Sequence, residues 1–212
     1  MTNLLHIDSS IQGAYSHSRP VTAAFAESWK TANPDGGYTY RDFAVEPVEH
    51  VTGLYMAAGN TPAGQRSPEQ AAEYDKFKPL RDELLAADVV LLGVPMYNFT
   101  IPSTIKTWMD HVLVPELRAD PESGKGPLTG KKVFVATARG GSYAPGTPKE
   151  DWDHQEPLLR HYFEGLGLDD VTFIHTEMTL AYSIEHLKQF QHIADASKEN
   201  AFKSVQELAA IA

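Results

Sequence analysis

Two runs constrain this chain more than anything else in it. Residues 88–94 and 131–137 are nearly continuous in Val, Leu, Phe and Ala. That is the pattern of parallel strands covered on both faces, in runs too short for buried helices. Three further strand-length runs lie at 3–7, 39–43 and 171–175; the one at 39–43 alternates Tyr, Arg and Phe with polar residues and suits a position nearer an edge. Helical spacing fills the intervals. Val21, Ala24, Phe25 and Ser28 follow Ser18 and Pro20, and residues 69–87 predict a helix interrupted or kinked near Pro79. Pro102 opens a third with Ile105, Trp108, Met109 and Val112 on its apolar face. A fourth, with Pro157 early, turns Leu158, Leu159, Tyr162, Phe163 and Leu166 inward and ends near Gly165 and Gly167. The last is predicted over 183–209, with Leu187, Phe190, Ala194, Ala201, Val205 and Leu208 on one stripe.

Strand and helix alternate throughout, which implies an α/β fold: a doubly wound, five-stranded parallel sheet with helices on both faces. Right-handed crossovers leave few topologies. The order 2-1-3-4-5 fits five such strands, although the spacing alone does not fix it. One domain over 1–212 is expected, with long connections at about 44–68 and 114–130, each either a surface loop, a lid or a subunit contact.

Composition removes options. The chain has no cysteine, so disulfides, thiolate nucleophiles and Cys-bound metals are excluded. A net charge of −10 argues against general nucleic-acid binding, which needs clustered Lys and Arg. The first eight residues have no basic segment, and no run approaches the length of a membrane span, so a cytoplasmic location without membrane attachment is expected. Nine histidines are scattered with no His-Glu-x-x-His spacing, so no metal is expected.

In such sheets ligands bind beyond the carboxyl ends of the strands, where the strand order reverses. Three segments there carry chemistry. After the first strand, residues 9–20 hold four serines and a glycine before a helix start. Unpaired amides and the positive end of the helix dipole receive a phosphate, and Ser10, Ser16 and Ser18 can add hydroxyl donors beside His17. The competing reading is that Ser16 or Ser18 caps the helix. Walker A, Gly-x-Gly-x-x-Gly and Gly-x-Ser-x-Gly patterns are absent, which weighs against triphosphate chemistry and serine hydrolysis. After the third strand come Pro95, Met96, Tyr97, Asn98, Phe99, Thr100, Ile101 and Pro102, an aromatic stretch that can flank a flat ring while Asn98 reaches its polar edge. After the fourth come Ala138, Arg139, Gly140, Gly141, Ser142 and Tyr143, whose paired glycines allow close backbone approach and positive φ.

These motifs resemble those of FMN-dependent NADH-azoreductases and NADH:quinone oxidoreductases of the flavodoxin-like superfamily, nearly end to end. The run from Met96 to Pro102 is the most specific part. The resemblance implies that FMN is held by Ser10, Ser16, His17 and Ser18 at its phosphate. It also implies that Pro95, Met96, Tyr97, Asn98, Phe99, Ala138, Arg139, Gly140, Gly141 and Tyr143 lie around its ring. It implies a homodimer with the active site at the interface, NADH or NADPH as donor, a quinone or azo compound as acceptor, and ping-pong transfer of two electrons. The flavin would carry the chemistry, which accords with the lack of a clear catalytic acid or base. The chain departs from the family pattern at Ala138, where a small polar residue is common, and at residues 114–120, which replace a Thr-Phe-x-Tyr-like stretch that shapes the acceptor site. The alternative is a flavodoxin-type electron carrier without small-molecule turnover; the two long connections exceed what a minimal carrier needs.

Overall fold

The computed structural model describes residues 2–212. Five parallel strands, β1 (Asn3–Asp8), β2 (Gly37–Asp42), β3 (Val89–Pro95), β4 (Lys132–Ala138) and β5 (Asp170–Thr176), form one sheet in the order β2-β1-β3-β4-β5. The order expected for such a fold is therefore the one observed, and β2 is indeed an edge strand. It lies two residues earlier than the alternation indicated at its start, because Gly37 pairs with Asn3 and carries the ladder down to that register.

The period-two alternation divides the sheet residues between two cores. Leu4, Val89, Leu91, Phe134, Ala136 and Ile174 face α1 (Arg19–Ala32) and α7 (Gln191–Ala209), packing on Phe25, Trp29, Ala201 and Val205. Leu5, Ile7, Val90, Leu92, Val94, Val133 and Val135 face the other way, onto α4 (Lys78–Ala86), α5 (Ser103–Val112) and α6 (Glu156–Glu164). All four residues expected on the inner face of α5, Ile105, Trp108, Met109 and Val112, are buried. At about 1.5–3 kcal/mol for each large apolar side chain, this face alone anchors the helix. Leu158, expected to face inward on α6, is exposed instead, while Leu159, Tyr162 and Phe163 form the buried face.

Three connections differ from expectation. The interval 69–87 is two helices, α3 (Pro68–Lys76) and α4, joined at Phe77, because Pro79 sits in the first turn of α4 and cannot continue the preceding hydrogen-bond ladder. The connection 44–68 contains α2 (Gly53–Gly59), capped by the Thr52 hydroxyl, which accepts the Tyr55 N–H at 3.0 Å. It meets the second long connection through Glu116, whose carboxylate accepts the Tyr74 hydroxyl at 2.7 Å and pairs with Arg66 at 3.3 Å. The final helix starts at Gln191; residues Glu185–Phe190 form a 3₁₀ turn, leaving Phe190 exposed and Leu187 against the small cluster of Met178, Ala181 and Ala194. No described helix is long and apolar enough to cross a membrane.

Candidate functional site

β1, β3 and β4 are neighbours, so the three segments that follow them share one edge of the sheet, around the point where the order reverses. Hydrogen bonds tie them together. The Tyr97 hydroxyl accepts the Ile11 N–H at 3.2 Å and lies 3.4 Å from Ser10 Oγ. The Met96 N–H donates to the Ala138 carbonyl at 2.8 Å, and Thr104 Oγ1 donates to the Ser9 carbonyl at 3.0 Å.

In the first segment Ser10, Ser16 and Ser18 are all buried. Ser18 stands at the N-cap position of the 14-residue helix α1 but makes no side-chain cap; its hydroxyl lies 3.3 Å from that of Ser16, which accepts the Arg19 N–H at 3.2 Å. Among the described residues, the His17 and Ser18 amides have no hydrogen-bond acceptor. Two free N–H groups and clustered hydroxyls at a helix N-terminus suit a phosphate. Positive charge is not available there from Arg19. Its guanidinium donates to both oxygens of Asp42 at 2.6 Å and to the Ser10 carbonyl at 2.9 Å, so it braces the loop. The His17 ring stacks on Tyr182, 5.8 Å between centroids, and burial keeps its pKa below the ordinary value with nearby Lys198 adding to the effect.

The second segment is a two-residue hairpin turn. Tyr97 and Thr100 exchange backbone hydrogen bonds of 2.9 and 3.2 Å, with Asn98 at φ 49° and Phe99 at φ 72°. Positive φ at both central positions defines a type I′ turn. Asn tolerates this, whereas Phe pays of the order of 1–3 kcal/mol, a strain found where the surroundings over-determine the backbone. Here they do: the Phe99 carbonyl accepts the His154 N–H at 3.0 Å, and Thr100 Oγ1 donates to the His154 carbonyl at 3.0 Å.

The third segment corrects two expectations. Neither Gly140 nor Gly141 has positive φ. A Cβ on Gly140 would stand 2.7 Å from Leu180 Cδ1, so that exposed side chain would have to shift, whereas one on Gly141 would meet nothing closer than 3.5 Å. Arg139 does not present its side chain to a ligand. The guanidinium is buried against Asp153 at 3.0 Å, Glu177 at 3.5 Å and Glu156 at 3.6 Å, and Nε donates to Gln155 at 3.1 Å. Its backbone is also engaged, the N–H with Thr176 and the carbonyl with Thr179. Tyr143 is buried, with its N–H donating to Glu177 at 3.0 Å. Pro95 and Ala138 are buried strand ends, and Met96 and Tyr97 are half-buried beside exposed Asn98.

Two residues that support the site carry no local sequence signal. Gln155 is fully buried, and its Nε2 donates to the Val94 carbonyl at 2.9 Å, linking Arg139 to the end of β3. Glu177 accepts from Ser142 Oγ at 2.6 Å as well as from Tyr143. Only contacts between distant segments reveal either role.

Residues 2–201 match the family described as Flavodoxin-like fold. A protein of Parafrankia sp. (strain EAN1pec), named FMN-dependent NADH:quinone oxidoreductase, is 46% identical over 210 residues, covering 99% of this chain and 100% of its own. A like-named protein of Nocardia farcinica (strain IFM 10152) is 40% identical over 98% of both chains. The chain belongs to this oxidoreductase family. Among solved structures, an azoreductase from Bacillus anthracis str. Sterne superposes with a TM-score of 0.85 at 22% identity, covering 100% of each chain. An FMN-dependent NADH-azoreductase from Bacillus anthracis str. Ames Ancestor, solved in complex with FMN, gives 0.81 at 22% identity over 99% and 98% of the two chains. At that identity the likeness concerns the fold alone.

Proposed function

We propose that this chain is an FMN-dependent oxidoreductase that passes two electrons from NADH or NADPH to a quinone or azo acceptor by a ping-pong route. The observation that carries the reading is the convergence of the serine, Tyr97–Thr100 and twin-glycine segments on one sheet edge beside the start of α1. In this reading Ser10, Ser16 and Ser18 and the free amides of His17 and Ser18 hold the phosphate. Pro95, Met96, Tyr97, Asn98, Phe99, Ala138, Gly140, Gly141 and Tyr143 border the ring. Arg139 acts from beneath, through its carboxylate cage.

FMN, when bound, supplies the two-electron chemistry, and the protein supplies binding, orientation and electrostatics. The hydroxyls and amides neutralise no charge, so they orient the phosphate by hydrogen bonds while the dipole of α1 favours its charge. The turn at Asn98 and Phe99, held by its bonds to His154, fixes the aromatic edge of the site, where donor and acceptor would bind in turn. A homodimer with this crevice at its interface accords with the exposed apolar side chains of Ile11, Tyr15, Leu54 and Met56. The 40–46% identical relatives named for FMN, NADH and quinone support the same activity.

The test is anaerobic titration of the purified protein, first with FMN and then with NADH and NADPH, followed by a free quinone. The expected result is a bound flavin that bleaches with one nicotinamide and recovers with quinone. Protein that stays colourless with FMN overturns the reading. Flavin that is bound but never turns over with free quinone points to an electron carrier.

A further inference from the structure

Residues 144–154 form a strap between the two ring-holding turns. It leaves the twin-glycine loop at Tyr143, passes Lys149, whose Cδ and Nζ would lie 3.5 Å from a Cβ on Gly141, and reaches the Phe99 carbonyl through the His154 N–H. Within it the short turn Glu150–Trp152 places the Trp152 indole edge-to-face on Phe99, 5.2 Å between centroids at 75°. The chain buries its other two tryptophans almost completely: Trp29 and Trp108 are 0% and 1% exposed, against 52% for Trp152 and 40% for Phe99. Two large rings are thus left open to solvent side by side, one of them, Phe99, on a turn whose backbone is strained and pinned by the His154 N–H.

We propose that Trp152, backed by Phe99, is a specificity-determining residue: the wall on which a flat aromatic electron acceptor packs before reduction. This rests on the functional reading above. An indole held edge-to-face by a neighbour keeps a face free for offset stacking on a second planar ring. It offers nothing comparable to a compact inorganic acceptor. Trp152 therefore discriminates among acceptors by their shape, which a comparison at saturating nicotinamide isolates from the donor step.

The test compares FMN-loaded wild type, Trp152→Ala and Trp152→Phe, at saturating NADH, with a 1,4-naphthoquinone and with ferricyanide. Loss of the indole is expected to raise the naphthoquinone KM about tenfold. The ferricyanide rate should stay within about twofold, and Trp152→Phe should recover most of the loss because it keeps a stacking ring. A second measurement needs no turnover. Iodide quenching of tryptophan emission in the oxidised protein should report Trp152 alone, and saturating naphthoquinone should shield it. Equal changes with both acceptors, no change in KM, or unshielded emission overturns the proposal. So does a Trp152→Ala protein that falls from dimer to monomer on a sizing column, which would assign the ring to a second copy of the chain. Wild type that reduces neither acceptor removes the functional reading, and this inference with it; wild type that reduces both, with Trp152→Ala indistinguishable from it, removes this inference alone.

Discussion

Removing the Glu177 carboxylate should loosen the twin-glycine loop from below. The side chain accepts the Ser142 hydroxyl at 2.6 Å and the Tyr143 N–H at 3.0 Å, and it lies 3.5 Å from an Arg139 nitrogen. A hydrogen bond to a charged group contributes about 1.5–3 kcal/mol, so two of them set an upper range of about 3–6 kcal/mol if nothing replaced them. Two features lower that figure. Asp153 at 3.0 Å still neutralises Arg139, so the full cost of about 3–5 kcal/mol for stranding a buried charge does not arise. Ser142 is partly exposed, so water recovers much of its bond. Glu177→Ala should therefore cost about 3 kcal/mol, a fall in Tm of about 6–12 °C for a chain of this size. Glu177→Gln keeps an acceptor for Tyr143 and should cost about 1 kcal/mol. Urea unfolding of the FMN-free protein measures both, and a flavin titration should show weaker binding in the alanine variant. If Glu177→Ala unfolds within about 0.5 kcal/mol of wild type, the carboxylate does not organise the loop.

Replacing Ser16 and Ser18 together by Ala should weaken FMN binding by roughly tenfold or more, at about 1 kcal/mol for each hydroxyl; unchanged affinity in a fluorescence titration would reduce both to loop structure. Gly141→Val should fold with a stability change near 1 kcal/mol, since its Cβ meets only ordinary contacts, yet bind flavin poorly because the proposed site places this loop beside the ring. Wild-type flavin affinity in that variant would remove the loop from the site. Acid should destabilise the fold in two stages. Burial lowers the pKa values of His17 and His111, so the unfolded chain takes up protons first and stability declines as pH falls below 6.5. Glu156, held down to about 2 chiefly by its hydrogen bond with His175, contributes above 4.5 and is lost as pH falls toward 2. A pH series of denaturation midpoints that is flat from 7 to 3 would contradict both assignments.

The five strands and the doubly wound fold class were readable from local pattern, whereas the order 2-1-3-4-5 fitted that pattern without being fixed by it. Continuous apolar runs at β3 and β4 require cover on both faces, and the chain between them supplies helices at the right spacing. The serine segment was readable for the same reason: hydroxyls before a proline at a helix start announce free amides whatever lies elsewhere. Arg139 and Glu177 were not. They are 38 residues apart, and an arginine beside two glycines looks like a ligand contact until Asp153, Glu156 and Glu177 arrive around it from two other segments. The turn at Asn98 and Phe99 was legible as an aromatic stretch, but its positive φ values were not, because Phe rarely adopts them without outside restraint.

Alone, the order of residues determined the five strands, most of the helices and their buried stripes, and the three candidate ligand-binding turns that follow β1, β3 and β4. Periodicity and helix-start chemistry act over a few residues and are written locally. Tertiary structure decided how those turns are held: the guanidinium of Arg139 turned into a carboxylate cage, Gln155 bridging to β3, and Trp152 laid on a strained Phe99. Charge pairing and ring packing depend on partners that only folding brings within a few ångströms, so no window along the chain contains them.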